Sequence, residues 1–260
     1  MHNNPTSQTP KRMIQYAYVF GFLFLMAFVK PAPKMPYKKA GLTEQEAALH
    51  LLNRFTFGPK PGQVEEVVQQ GLENWFLAQL QPVPDNEVVR NRLAGFQALN
   101  MPTDSIVNTY LQPAQLIRLA IKNGIIDKDS VDRTDKPAYR DAIKKMQSDY
   151  GYRPLQELQR ELINQKVIRA VYSDAQLQEV LTDFWFNHFN VSLTKNQIQQ
   201  LVLPYERDAI RPNVLNSFSS LLFATAKHPA MLLYLDNALS ISNENEYAKR
   251  QLKGAQRLLD

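Results

Sequence analysis

The sequence predicts an all-α protein: an irregular multi-helix bundle of short, proline-punctuated helices behind an N-terminal transmembrane or signal helix. Three observations predict it. From Thr43 onward, apolar residues recur at helical spacing almost everywhere. Prolines punctuate the periodic segments, as residues that end helices do. No alternating run of β-branched residues is long enough to make a strand.

Residues 1–12 form a basic, polar start that includes Lys11 and Arg12. Residues 13–29, from Met13 to Val29, are 17 nearly uninterrupted apolar residues, with Gln15 the one strongly polar member. That plan is an export signal. At about 1.5 Å per residue the run reaches about 25 Å, slightly short of a hydrocarbon core of about 30 Å. Tyr16, Tyr18 and the flanking lysines suit the two interfaces. The best cleavage position, Ala32, has Lys30 before it and Pro33 after it, so an uncleaved anchor is favoured over a cleaved peptide. Lysines after the run would, by the positive-inside tendency alone, keep the body in the cytoplasm. Its place at the extreme N-terminus favours export. The expected localisation is therefore the cell envelope, anchored through residues 13–29, or secreted if the leader is cleaved. Residues 30–42 read as a stiff Pro/Lys-rich spacer.

Residues 43–260 are the helical domain. Thr43 and Glu46 form a capping box that opens the first helix, with Ala47, Ala48, Leu51, Leu52 and Phe55 as its apolar stripe. The segment from Gly58 to Gly62 breaks it. Val64, Val67 and Val68 mark a short helix stopped by Gly71, and Leu72 to Leu80 marks another. Asn86 to Leu99 and Pro113 to Lys122 are further helices, the second with proline at a favourable first position. Asn123 to Asp149 is dense in Asp, Lys and Arg and reads as a solvated insertion. Pro154 to Tyr172 is a long helix with Leu155, Leu158, Leu162, Ile168 and Val171 inward. Ser173 is expected to cap the next helix, whose apolar face carries Leu177, Val180, Leu181, Phe184, Trp185 and His188. Pro204, Pro212 and Pro229 punctuate three more short helices, and Asn243 to Asp260 reads as a polar helix.

Composition excludes several chemistries. There is no cysteine, hence no disulfide, thiolate metal site or cysteine nucleophile. Lys and Arg number 30 against 25 Asp and Glu, but six of the basic residues precede Glu44. The body keeps 24 against 25, so the pI of about 9.2 belongs to the leader and its flank. No nucleic-acid partner is called for. Phosphate loops, dinucleotide fingerprints and zinc helices are absent from the sequence, so no cofactor-binding or metal-ligating set is assigned and any cofactor stays unknown.

The candidates for chemistry are His188, His228 and Asp236. His188 is a general base or metal ligand, or more plainly a core histidine. His228 precedes Pro229 and suits a helix start, where capping is the plainer role. Asp236 and Asn237 end an apolar helix and offer oxygens to a cation, or simply turn the chain. Asp183 lies on the wrong face to pair with His188. Glu46, His50 and Arg54 suit an exposed ion-pair ladder. Glu206, Arg207 and Asp208 suit a surface or inter-helix ion network.

Five ordered segments carry a family resemblance: His50–Pro59, Gly71–Leu80, Phe184–Ser192, Pro204–Pro212 and Ala226–Asn237. Together they resemble the bacterial family called domain of unknown function 1800, over about residues 43–240. The resemblance implies an exported, helical protein and brings no settled activity and no catalytic residue. Phe186 stands where that family usually has a second histidine one turn from His188, which weakens a metal site built on the pair. The family domain usually continues, so this chain is expected to be the N-terminal part of a longer domain. The functional expectation is an envelope interaction or assembly component with a protein or polymer partner; the alternative is a hydrolase of an extracellular polymer.

Overall fold

The computed structural model describes residues 34–127, 136–195 and 198–237. These residues are helical, with no strand among them. Their order is α1 (Glu44–Phe55), α2 (Gln63–Gln70), α3 (Leu72–Gln79), α4 (Glu87–Leu93), α5 (Thr103–Thr109), α6 (Pro113–Lys122), α7 (Lys136–Tyr150), α8 (Leu155–Tyr172), α9 (Gln176–His188), α10 (Val202–Pro204), α11 (Phe218–Lys227) and α12 (Pro229–Tyr234). A π-helical segment, Tyr205–Ile210, continues α10 and closes in a 3-10 turn, Arg211–Asn213. Both the leader, residues 13–29, and the helix read over Asn243–Asp260 lie outside the described residues. No helix among the described residues is long and apolar enough to cross a membrane.

Three apolar clusters organise the chain. The first joins α1, α2 and α3 through Ala48, Leu52, Val67, Leu72 and Trp75. Met35 and Tyr37 of the spacer pack on it, and the Met35 N–H donates to Glu73 Oε1 at 2.6 Å. The Thr43 capping box forms as predicted, with Glu46 returning a carboxylate to the Thr43 N–H at 2.8 Å. The second cluster pairs α6 with α7 through Leu116, Ala120, Ala142 and Met146. The charged segment thus contributes a buried face, because Ala142 and Met146 are one turn apart and meet α6.

The third and largest cluster gathers α8, α10, the π segment, α11 and α12 around Leu158, Leu162, Val202, Tyr205, Ile210 and Leu221. Buried polar groups fasten the first cluster to the α8–α9 corner. Gln79 donates to the Asp174 carbonyl at 3.0 Å and accepts from the Leu177 N–H at 3.1 Å. Asn86 caps α4 by accepting from the Val89 N–H at 2.9 Å and donates to the Tyr172 carbonyl at 2.8 Å.

Four details differ from the sequence reading. The Asn86–Leu99 helix stops at Leu93, and only a 3-10 turn, Gln97–Asn100, follows Gly95. Helix α5 is present although its sequence shows little apolar periodicity. Ser173 does not cap α9; its hydroxyl accepts from the Ala175 N–H, and the helix begins at Gln176. Val171 and Phe184 point to solvent, while Gln165, Glu179 and Thr182 are buried. Lys166 of α8 pairs with Asp183 of α9, and Gln165 and Glu179 of the same helices belong to the site described next.

Candidate functional site

Glu206 sits in the middle of the molecule, with its side chain 2% exposed. The wide π turn carries it inward toward α8 and α9. It accepts from Gln165 Nε2 at 2.6 Å, from Lys166 Nζ at 2.9 Å and from Arg211 Nη2 at 3.2 Å. Burial opposes its ionisation, but Lys166, Arg211 and these hydrogen bonds prevail and hold its pKa below the ordinary carboxylate value. Arg211 gives its other terminal nitrogen to buried Glu179 at 2.7 Å. Burial opposes the guanidinium charge too, and the carboxylates of Glu179 and then Glu206 overcome it, raising its pKa. Lys166 also reaches Asp183 at 3.1 Å and lies 4.4 Å from the centre of the Phe186 ring. The Phe186 ring thus seats an ammonium.

The network continues outward on the other side. Gln165 accepts from Arg169 Nε at 3.0 Å, and Arg169 pairs with Asp85. Arg207 follows Glu206 but takes a separate task. Its Nη1 donates to the carbonyls of Ala98, Leu99 and Met101, closing the 3-10 turn, while Nε and Nη2 hold Asp208. The predicted charge triplet is therefore an inter-helix network, with Glu206 buried and Asp208 at the surface.

Two cavities flank this network, and Arg211 lines both. One, of about 290 Å³, lies between α4, α8 and the π segment. Arg90, Arg169, Arg207, Asp85 and Glu206 supply its charge, and Leu93, Leu99 and Leu203 its apolar wall. The other, of about 380 Å³, is mainly apolar, with Phe57, Ile163, Val167 and Phe186 above Lys166, Glu179 and Asp183.

His188, His228 and Asp236, singled out from sequence, make no direct hydrogen bond or ion pair with one another among the described residues. His188 is exposed at the end of α9, not buried on a core face. Its ring lies 5.3 Å from Trp185 and 5.0 Å from Phe189. His228 caps α12: Nδ1 accepts from the Ala230 N–H at 3.2 Å, and its ring centre is 5.1 Å from that of Tyr205. Burial lowers its pKa, and the accepting Nδ1 leaves Nε2 as the donor of a neutral ring. Asp236 adopts a left-handed turn, with φ at 57°, and accepts from Lys195 Nζ at 2.7 Å. That ammonium also donates to the carbonyls of Leu233 and Tyr234, so it closes the C-terminal end of α12. The ladder of Glu46, His50 and Arg54 does not form, because Glu46 turns back to Thr43. No group of acids and histidines suited to a metal ion occurs among the described residues.

The polar members that sequence reading left out are Lys166, Glu179, Gln165 and Arg211. Gln165, Lys166 and Glu179 lie among apolar residues on α8 and α9, where no clear polar face sets them apart, and Arg211 comes from the 3-10 turn.

A third feature is an exposed aromatic face. Phe184 is 55% exposed and Phe218 58%. The Trp185 ring links Phe184, at 5.0 Å, to Phe218, at 5.8 Å. Beside them a cavity of about 430 Å³ runs from Phe189 past Leu222 and Met231 to Leu235.

The model of the family described as "Protein of unknown function (DUF1800)" matches residues 50–248, and the chain belongs to that family. No curated protein and no solved structure matches the chain.

Proposed function

We propose that this DUF1800 member is an exported, membrane-anchored component of the cell envelope that acts by binding a partner protein through its aromatic face. The observation that carries the reading is the exposure of Phe184 and Phe218 around Trp185, next to an apolar cavity. Large exposed apolar residues grouped on one face mark interaction surfaces in soluble domains. Aromatic anchors beside a pocket are the arrangement that concentrates binding energy. The placement in the envelope rests on Lys11, Arg12 and the apolar run 13–29.

The test uses the full chain in intact cells. A photoreactive benzoylphenylalanine at Leu222 is compared with one at Val88, which is exposed on α4, away from this face. The reading expects one intermolecular adduct of defined mass from position 222 and none from position 88. It expects that adduct to vanish when Phe184→Ser and Phe218→Ser are combined. No adduct, or only a cross-link within the chain, overturns the partner reading. A C-terminal alkaline phosphatase fusion separately reports the compartment, and an inactive fusion overturns export.

A further inference from the structure

We infer that the arginine-lined cavity between α4, α8 and the π segment binds a small oxyanion, a molecule carrying a carboxylate or a phosphate group. The inference stands apart from the partner reading, because it concerns a different part of the molecule.

The charge of the lining is the first argument. Arg90, Arg169, Arg207 and Arg211 face two carboxylates, Asp85 and Glu206. Two positive charges are left over within the lining itself. Glu206 is further committed to Lys166, which lies outside this cavity. The acids that balance the remaining arginines face elsewhere: Glu179 lines the second cavity, and Asp208 is at the surface.

The second argument is unspent donors. A guanidinium carries five N–H groups in a fork that matches paired oxygens. Arg169 uses Nε on Gln165 and Nη1 on Asp85, and its Nη2 has no acceptor among the described residues. Arg211 uses Nη1 and Nη2 on Glu179 and Glu206, leaving Nε. Arg90 uses only Nη1, on the Asp85 carbonyl at 2.7 Å. Arg207, by contrast, is fully engaged and acts as a fixed wall.

The third argument is the surroundings. The side chains of Arg169 and Arg211 are about 15% exposed, at 14% and 15%, and Leu93, Leu99 and Leu203 line the same space. Partial exclusion of water strengthens a charge-assisted hydrogen bond. A volume of about 290 Å³ is at the small end of ligand sites, which suits a compact anion rather than a chain.

The experiment is calorimetric titration of the full chain with inorganic phosphate and, in parallel, with succinate. Sodium chloride at matched ionic strength controls for screening. Saturable binding of either anion, absent with chloride, is the expected result, and the tighter of the two identifies tetrahedral or planar recognition. Arg90→Gln removes an exposed guanidinium from the lining and is expected to weaken binding roughly tenfold, the worth of one charge-assisted contact. Arg169→Lys keeps the charge but loses the fork, and is expected to weaken it as well. Arg118→Gln, exposed on α6, serves as the control and should leave binding unchanged. No saturable binding up to millimolar anion, or equal loss in Arg90→Gln and Arg118→Gln, overturns the inference.

Discussion

Replacing Arg211 with methionine tests whether the buried network holds the two halves of the core together. The substitution preserves most of the side-chain bulk and removes the charge. Glu179, 5% exposed, then loses its ion-pair partner, and Glu206 keeps Lys166 but loses its second cation. Both carboxylates remain out of water. At an effective dielectric constant of about 20, unit charges about 4 Å apart interact by about 4 kcal/mol. Removing one partner of a buried pair costs about 3–5 kcal/mol, because the other charge stays behind uncompensated. The expected outcome is a loss of about that size in unfolding free energy by urea titration at pH 7. By the usual scaling for domains of this size, the melting temperature should fall by roughly 10 °C. In the parent protein the pKa of Glu206 lies below 4.5, so its stabilisation is complete above that value and is lost as pH falls through the folded pKa. With one cation gone, burial raises the Glu206 carboxyl instead, and protonation relieves the variant as pH falls. The gap between parent and variant should therefore narrow from pH 7 toward about pH 5. A loss below about 1 kcal/mol, or a gap that does not change with pH, would refute the reasoning.

Three further outcomes follow from the geometry. His228→Ala should cost about 1 kcal/mol in chemical denaturation by removing the acceptor that caps α12. Burial lowers the His228 pKa, so its contribution is present above the unfolded value near 6.5 and is lost as pH falls below it; the variant's melting temperature should depend less on pH there. Tyr205→Phe deletes the hydroxyl that donates to the Phe189 carbonyl at 2.8 Å; it should lower unfolding free energy by about 1 kcal/mol and leave circular dichroism unchanged. Asn86→Ala breaks a helix cap and two tethers to the α8–α9 corner, and should cost about 1–2 kcal/mol in the same assay.

Helix order was legible in the sequence because most helices have strong ends. Thr43 with Glu46, the glycines at 62 and 71, and the proline at 113 mark boundaries that the structure reproduces. The capping role of His228 was legible for the same reason, since Pro229 forces the preceding residue out of helical geometry. Inward faces were harder to read. On α9 the apolar residues Phe184 and Trp185 suggested the core; Trp185 packs partly against it, but Phe184 faces solvent and the buried set is Gln176, Leu177, Glu179 and Thr182. Periodicity identifies a helix but weighs each apolar residue as buried, and it cannot see that Arg211 and Lys166 arrive from elsewhere to neutralise a polar face. Glu206 illustrates the same limit. Three charges in a row suit a surface network as well as an inter-helix one, and only long-range partners, 40 and 41 residues away, make burial tolerable.

The π-helical turn from Tyr205 to Ile210 behaves as a built-in frame marker. An α-helix rotates about 100° per residue. Deleting one residue there, to restore ordinary winding, would swing everything downstream by about that angle. Arg211 would leave Glu206 and Glu179, and the contacts of Tyr205 and Ile210 with α11 would slide out of phase. Length changes that surface loops absorb with little effect should therefore be selected against within this one turn.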